Sequence, residues 1–418
     1  MKLIAKYPIK DYALWQNAVL NCSKSFKYVS FLNSNHNIPE EFGFIAGFSN
    51  DATSVNESIF ETLKNAFDAQ KWTFFHLNYD CKQETENLLK SFSNKVNFPQ
   101  LSVFHPEILM KSNGREVEVY SDNDHVEFDF TPIKNDHWDN QAFIPLLEKQ
   151  EYIQLIEKLQ NHIQRGDIYE VNYCQEFFLE NQSISPQSLY ERLMDVSPTP
   201  FSTFYQCESN VLISATPERF LKKSGNRLLS QPIKGTVKRG ESEEEDVRQK
   251  NLLANSLKDQ NENVMIVDLV RNDLSQVCKA GTVKVDELFG IYSFSNVHQM
   301  ISTISGEIKR DIHPIDALKK CFPMGSMTGA PKVKAMELID KYEVNNRGLY
   351  SGTVGYITPN GDFDSNVIIR SFFYNSDRKY LSFWVGGAIT KLSDPEKEYD
   401  ECLVKAASLL KSINAHVK

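Results

Sequence analysis

The sequence predicts a globular chain that mixes helices with a larger number of strands, and three observations predict it. Apolar residues recur at helical spacing in a few stretches, clearest in Tyr152, Leu155, Ile156, Leu159 and Ile163. Runs that read as strands by composition are more numerous and spread over the whole chain. Hydrophobic residues make up 41% and charged residues 24%, enough apolar surface for a sizeable core. At 418 residues, two or three domains or one large core are all admissible.

Taken in order, residues 1–130 carry strand-like runs at 28–32 and 117–120 and a helix near 59–70. Residues 121–140 are rich in Asp and Asn and read as a connector. The helix through 152–163 stops at Gly166, and 168–178 follows as a strand. Strands are expected at 211–215, 220–223 and 227–230, with Thr216-Pro217-Glu218-Arg219 between the first two. Ser242 with Glu245 signs the start of a helix running towards Asp259, and a second helical stretch, with Glu262 just before or within it, ends at Arg271-Asn272-Asp273. Strands surround 301–306, and a loop at 322–332 leads into a helix with Pro331 in its first turn. Residues 350–357, 365–374 and 380–385 read as strands, and Asp394-Pro395 opens a final helix to about Ile413.

Several function classes fall away. Forty-six basic against 55 acidic residues give a net charge of -9, which argues against nucleic acid as the main partner. No apolar run reaches 18 residues, so no membrane span is expected, and the N-terminus lacks a signal-peptide core. Seven scattered cysteines never form C-x-x-C, which points to reduced thiols and a cytoplasmic setting.

Four sets of residues could carry chemistry. Lys234 sits between Pro232-Ile233 and Gly235-Thr236; an apolar pocket would lower its pKa and make it a nucleophile, whereas by itself it reads as a surface cation. Glu398 and Glu401 share a face of the last helix, and Glu262 adds a third carboxylate, a set of hard oxygen donors suited to magnesium. Glu401 and Lys405 equally make an ordinary i, i+4 pair. Arg370 lies in an apolar strand and needs a buried anion, either a substrate carboxylate or an internal acid. Gly386-Gly387 at a strand end and the Thr328-Gly329-Ala330-Pro331 turn at a helix start are two places where backbone amides could meet an anion.

Six motifs then follow one another: Ala215-Thr216-Pro217-Glu218-Arg219-Phe220, Pro232-Ile233-Lys234-Gly235-Thr236, Val267-Asp268-Leu269-Val270-Arg271-Asn272-Asp273-Leu274, Gly329-Ala330-Pro331-Lys332, Gly352-Thr353-Val354-Gly355-Tyr356 and Gly386-Gly387-Ala388-Ile389. Together they resemble the chorismate-binding enzymes: component I of anthranilate synthase and of aminodeoxychorismate synthase, and the isochorismate and salicylate synthases. The resemblance covers residues 145–415, taken as a catalytic domain, while residues 1–130 match weakly and are expected to pack on the same core. It implies an α+β fold like that of anthranilate synthase component I, with two large, mostly antiparallel β-sheets and helices packed outside.

The resemblance also implies roles. A lysine at 234 looks like the aminodeoxychorismate synthase branch, in which it attacks the ring; anthranilate synthases carry alanine there. The water-using synthases carry a lysine base where this chain has Glu170. Glu262 and Glu401 match magnesium ligands with Glu398 beside them, and Glu218 matches the acid that assists loss of the ring hydroxyl. Arg370 and Tyr350 match the positions that hold the enolpyruvyl carboxylate. The Gly386, Gly387 and Ala388 amides match those at the ring carboxylate, and Ser326, Thr328, Lys332 and Tyr356 are expected around the substrate. Gln299, next to His298, replaces a histidine common in the family, and the Leu-Leu-Glu-Ser element of tryptophan feedback is absent, so no bound tryptophan is expected.

The expected reaction is amination of chorismate to 4-amino-4-deoxychorismate, on the route to folate, with Mg²⁺ as cofactor. No cysteine lies in G-x-C-x-G, so ammonia is expected from a separate glutamine amidotransferase, component II. Anthranilate synthase component I and a non-catalytic chorismate-binding paralogue are the alternatives.

Overall fold

A computed structural model describes residues 1–35, 42–86, 94–134, 136–138 and 140–418. Its strands form two sheets, thirteen-stranded and ten-stranded among the described residues. Every strand pair is antiparallel except Gln141–Pro145 with Ala415–Val417. This is the α+β architecture that the resemblance implied.

Strand alternation explains how the layers stack. Successive side chains of a strand point to opposite faces. In the larger sheet Phe204, Ile213, Phe372 and Phe383 belong to one apolar cluster, and their neighbours Tyr205, Leu212, Phe373 and Trp384 to the other. The first set packs under the helices Tyr12–Ser23, Lys149–Arg165, Pro186–Val196 and Pro395–Ser412. The second faces Phe75, Leu77, Leu221 and Val354 of the smaller sheet. The two sheets approach closely: a Cβ on Gly47 would stand 2.1 Å from the Phe74 ring. Burial of each such side chain stabilises by roughly 1.5–3 kcal/mol.

The N-terminal strands enter both layers. Tyr28–Asn33 pairs with Ser202–Cys207 in the larger sheet, and Thr73–Leu77 pairs with Thr353–Ile357 in the smaller one. After Ser121 no helix or strand occurs among the described residues until Gln141; residues 135 and 139 of the expected connector lie outside them.

Local signals act where expected at several ends. Gly166 takes φ 83° and stops the Lys149–Arg165 helix. The Ser242 side chain caps Glu243–Ala254, and Asp394 caps Pro395–Ser412.

Four expectations need correction. Of the two helices expected from Ser242 to Asp273, the first ends at Ala254, short of Asp259, and the second, Leu257–Val277, holds Glu262 and runs past Asp273. The strand expected at 350–357 begins only at Thr353, after a turn in which Ser351 takes φ 61°. Gly386 and Gly387 lie inside the strand Tyr380–Ile389 and not at its end, paired with Cys174 and Tyr173. The strand expected at 365–374 is two strands, Phe363–Asn366 in the smaller sheet and Ser371–Asn375 in the larger. Residues 367–370 therefore cross from one layer to the other, and Arg370 sits on that crossing with φ 53° instead of in a strand.

Candidate active site

The crossing places the candidate site in the seam between the sheets. Lys234 reaches it from the smaller sheet, on the strand Ile233–Lys238. That strand is irregular between Ile233 and Thr236, where Gly235 takes φ 85°. The side chain is 12% exposed, and Nζ donates to Oε1 of Glu170 at 3.1 Å. Glu170 comes from the larger sheet, at the start of Glu170–Leu179, and is buried. Its other oxygen, Oε2, has no hydrogen-bond partner among the described residues.

Here the sequence-based expectation for Lys234 fails. Burial does pull its ammonium down, but Glu170, Glu262 and Glu218 outweigh that and hold its pKa above the ordinary lysine value. Lys234 is a paired cation in the free protein, not a neutral amine in an apolar pocket.

Glu218 follows the expectation. It is buried just before the strand Arg219–Ser224, and its backbone carbonyl accepts from the Val367 amide of the crossing at 3.0 Å. Burial pushes its carboxyl up to about 7, although Ser326, Lys234 and the Ile233 amide favour the ionised form. An acid poised there holds its proton through much of the neutral range.

Arg370 resolves an alternative left open by sequence. Its guanidinium has no ion-pair or hydrogen-bond partner among the described residues, and Glu401 acts on it only from beyond ion-pair distance. Burial pulls its pKa down, with Tyr350 and Glu401 opposing. Tyr350 lies beside it, buried and stacked on Trp384 at 5.8 Å between centroids. A half-buried cation that no acid pairs with directly, on backbone held at positive φ, suits an incoming anion.

Three carboxylates form a second patch. Glu262 stands on Leu257–Val277, and Glu398 and Glu401 stand on Pro395–Ser412. The Lys258 ammonium interacts with all three. Burial holds Glu262 and Glu398 above the usual carboxylate range. For Glu401 the nearby Lys405, Lys258 and Lys234 overcome burial and lower it. Lys405 donates to Glu401 at 2.8 Å and to the Gly386 carbonyl at 2.9 Å. A Cβ on Gly387 would lie 2.9 Å from Oε2 of Glu398, so a side chain there would push that carboxylate aside. Among the described residues no three acids, histidines or cysteines stand close enough to enclose a metal by themselves. The donor chemistry fits a hard cation that takes its remaining ligands from water and substrate.

The structure does not gather every expected residue. Lys332 is spent in a buried pair with Asp273 at 3.0 Å and a bond to the Cys321 carbonyl at 3.0 Å. Tyr356 lines a separate cavity with Phe42, Phe201, Arg219 and Asp364. The Thr328 hydroxyl donates back to the Met324 and Gly325 carbonyls, which fixes the turn that presents Ser326 to Glu218. Ala388 pairs with Asn172, next to the glycines. His298 is held by Ser293 and Asp246, and Gln299 approaches Thr236.

Residues 19–411 match the family described as chorismate binding enzyme. This chain belongs to the chorismate-binding enzyme family. Among curated members of the family, it is 32% identical over 345 residues to aminodeoxychorismate synthase component 1 of Klebsiella aerogenes, covering 81% of this chain and 76% of that one. It is 38% identical over 267 residues to the Escherichia coli K12 protein of the same name, covering 64% and 58%. To the chloroplastic aminodeoxychorismate synthase of Arabidopsis thaliana it is 40% identical over 277 residues, which are 66% of this chain but 30% of that protein. The chain thus spans about a third of the length of the plant relative it matches. Two solved structures share the fold. Anthranilate synthase component I from Streptococcus pneumoniae superposes with a TM-score of 0.75 at 22% identity, covering 91% and 92% of the two chains. The menaquinone-specific isochorismate synthase from Escherichia coli gives 0.79 at 16%, covering 98% and 93%.

In this chorismate-binding enzyme the sequence reading missed two partners. Lys258 was overlooked as the cation common to the three carboxylates, although its i, i+4 spacing to Glu262 was visible. Glu170 was noted only by position; the pairing with Lys234 spans 64 residues and no local pattern announces it.

Proposed function

We propose that this chain aminates chorismate, replacing the ring hydroxyl with ammonia to give 4-amino-4-deoxychorismate and water. The observation that carries the reading is the buried amine of Lys234 facing the half-protonated carboxyl of Glu218. One is the nucleophile and the other the proton donor that a poor leaving group needs.

Arg370, beside Tyr350, takes the enolpyruvyl carboxylate, which supplies the missing counter-charge. The ring carboxylate lies over Gly386, Gly387 and Ala388, towards Glu262, Glu398 and Glu401. Lys258 and Lys405 leave the three carboxylates net negative, and a further cation between them and the anion would offset that repulsion. Glu262 and Glu401, with Glu398 beside them, would hold Mg²⁺, whose part is to neutralise and orient that carboxylate. Glu218 gives its proton to the leaving hydroxyl while Lys234 Nζ bonds to the ring, and ammonia then displaces Lys234. The component number in the names of the Klebsiella and Escherichia relatives supports ammonia supplied by a separate glutamine amidotransferase.

The test is a product assay with chorismate, Mg²⁺ and ammonium chloride. A non-aromatic amino product with pyruvate retained is expected. Fluorescent anthranilate with release of pyruvate would establish the other amination instead, and no turnover would favour a non-catalytic role.

A further inference from the structure

Lys234 presents a contradiction that its neighbour resolves. The reaction needs a neutral amine, yet the folded protein holds an ammonium, so a proton must leave before the nitrogen can attack. Among the described residues Glu170 alone stands within ion-pair distance of Nζ, at 3.1 Å. Its Oε2 is buried with no hydrogen bond, so among the described residues Lys234 is the only group paired with this carboxylate. If the amine were drawn to the ring without its proton being caught, Glu170 would remain as a bare buried anion.

We propose that Glu170 is the catalytic base of this site, taking the proton from Lys234 before attack and returning it after Lys234 is displaced. This rests on the reading of Lys234 as the nucleophile. The protons balance over a cycle. Transfer from Nζ to Glu170 turns a buried ion pair into two neutral groups. Nζ then bonds to the ring as the C–O bond breaks, and Glu218 supplies the proton that makes the leaving group water. The Lys234 nitrogen is now a secondary ammonium. Ammonia forms its C–N bond as the bond to Lys234 breaks, freeing a neutral amine and leaving the product as an ammonium. Glu170 returns its proton to Lys234, and the product ammonium restores the proton of Glu218.

The setting suits a base that works once per turnover. Glu170 opens an interior strand of the larger sheet, and its backbone pairs with Ala330 in the short strand Gly329–Ala330, just after the turn carrying Ser326. A Cβ on Gly329 would sit 2.2 Å from the Glu170 carbonyl oxygen, so that turn is seated directly on it. The other charges bearing on Lys234 are Glu262 from its helix, Glu218 before the neighbouring strand, and Glu401 from the last helix. None of the three is within ion-pair distance of Nζ.

The experiment compares wild type, Glu170→Gln, Glu170→Asp, Lys234→Ala and the double variant Glu170→Gln/Lys234→Ala. Each is assayed with chorismate, Mg²⁺ and a fixed concentration of free ammonia from pH 6 to 10. Glu170→Gln should lower kcat about 10²-fold or more near pH 7, within the usual range for a positioned base. KM for chorismate should change little, and activity should recover as pH rises and solvent takes the proton. Glu170→Asp should fall between. The double variant should be no slower than Lys234→Ala, since a base for Lys234 has nothing to do once the amine is gone. Retained chorismate binding by Glu170→Gln, measured by calorimetry, separates loss of chemistry from loss of fold. Wild-type kcat at every pH in Glu170→Gln overturns the proposal while leaving Lys234 as nucleophile. So does a loss that no pH restores. Wild-type activity in Lys234→Ala instead overturns the underlying reading.

Discussion

At the residue scale, burial makes Glu218 both useful and destabilising. Its folded pKa, about 7, lies above the ordinary 4.5, so the folded state binds this proton more tightly than the unfolded chain does. That contribution to stability is complete below about pH 4.5 and is lost as pH rises through about 7. Glu218→Gln removes the ionisation. We predict no amination by this variant but greater resistance to urea than wild type at pH 8, by about 1–3 kcal/mol. At pH 4 the two should unfold nearly together; equal stability at both pH values would mean that Glu218 titrates normally. Lys234 makes a second prediction. Incubated with chorismate and Mg²⁺ but without ammonia, the wild-type peptide containing Lys234 should gain mass by covalent attachment. Lys234→Ala should lose that adduct and aminate at least about tenfold more slowly, with any residue of activity due to direct attack by ammonia. Unchanged amination by this variant would leave Lys234 as no more than a charge in the pocket.

At the scale of elements, two helices meet through Lys332 and Asp273, buried to 11% and 10% exposure. The pair ties Leu257–Val277, which carries Glu262, to Lys332–Tyr342. Removing one partner leaves an uncompensated charge, so Lys332→Ala should cost about 3–5 kcal/mol of stability. Lys332→Met combined with Asp273→Leu should recover most of it, with KM for chorismate close to wild type. A large rise in KM in that folded double variant would return Lys332 to the substrate. The same elements show what a sequence discloses. The Lys149–Arg165 helix was legible because its apolar period and its Gly166 stop are local. The break at 367–370 was not, because Val367, Ile368 and Ile369 are as apolar as a strand interior and only their partners in two different sheets divide them. For the site, residue types and motifs located Glu218, Arg370 and the three acids, since charge in an apolar setting is conspicuous. The protonation of Lys234 was not legible. Pro232 and Ile233 suggested an apolar wall, whereas the group that sets its charge, Glu170, arrives from the other sheet.

At the scale of the molecule, the first 130 residues are structural partners of the remainder. They supply Tyr28–Asn33 to the larger sheet and Thr73–Leu77 to the smaller, and both pair directly with strands from the C-terminal part. A fragment of residues 141–418 would expose two open sheet edges and the faces that Phe31 and Phe75 cover. We expect it to aggregate, or to bind a hydrophobic dye without a cooperative thermal transition; a monomeric fragment that melts sharply would contradict this.

The crossing at 367–370 has a consequence for the enzyme as a mechanical object. Its amides reach both neighbours, Val367 donating to Glu218 and Ile368 to Gly352, and it carries a guanidinium that no residue of the described chain pairs with directly. On the proposed reading a dicarboxylate seated there would act as a rivet, pairing with that cation where the layers join. Because the ligand binds only the folded state, its grip adds to the cohesion of the whole. Amide exchange at residues 367–371 should slow on loading with chorismate and Mg²⁺, more than exchange at the helices outside. The molecule would then be tightest only while it holds its substrate, and product release would begin with the loosening of this seam.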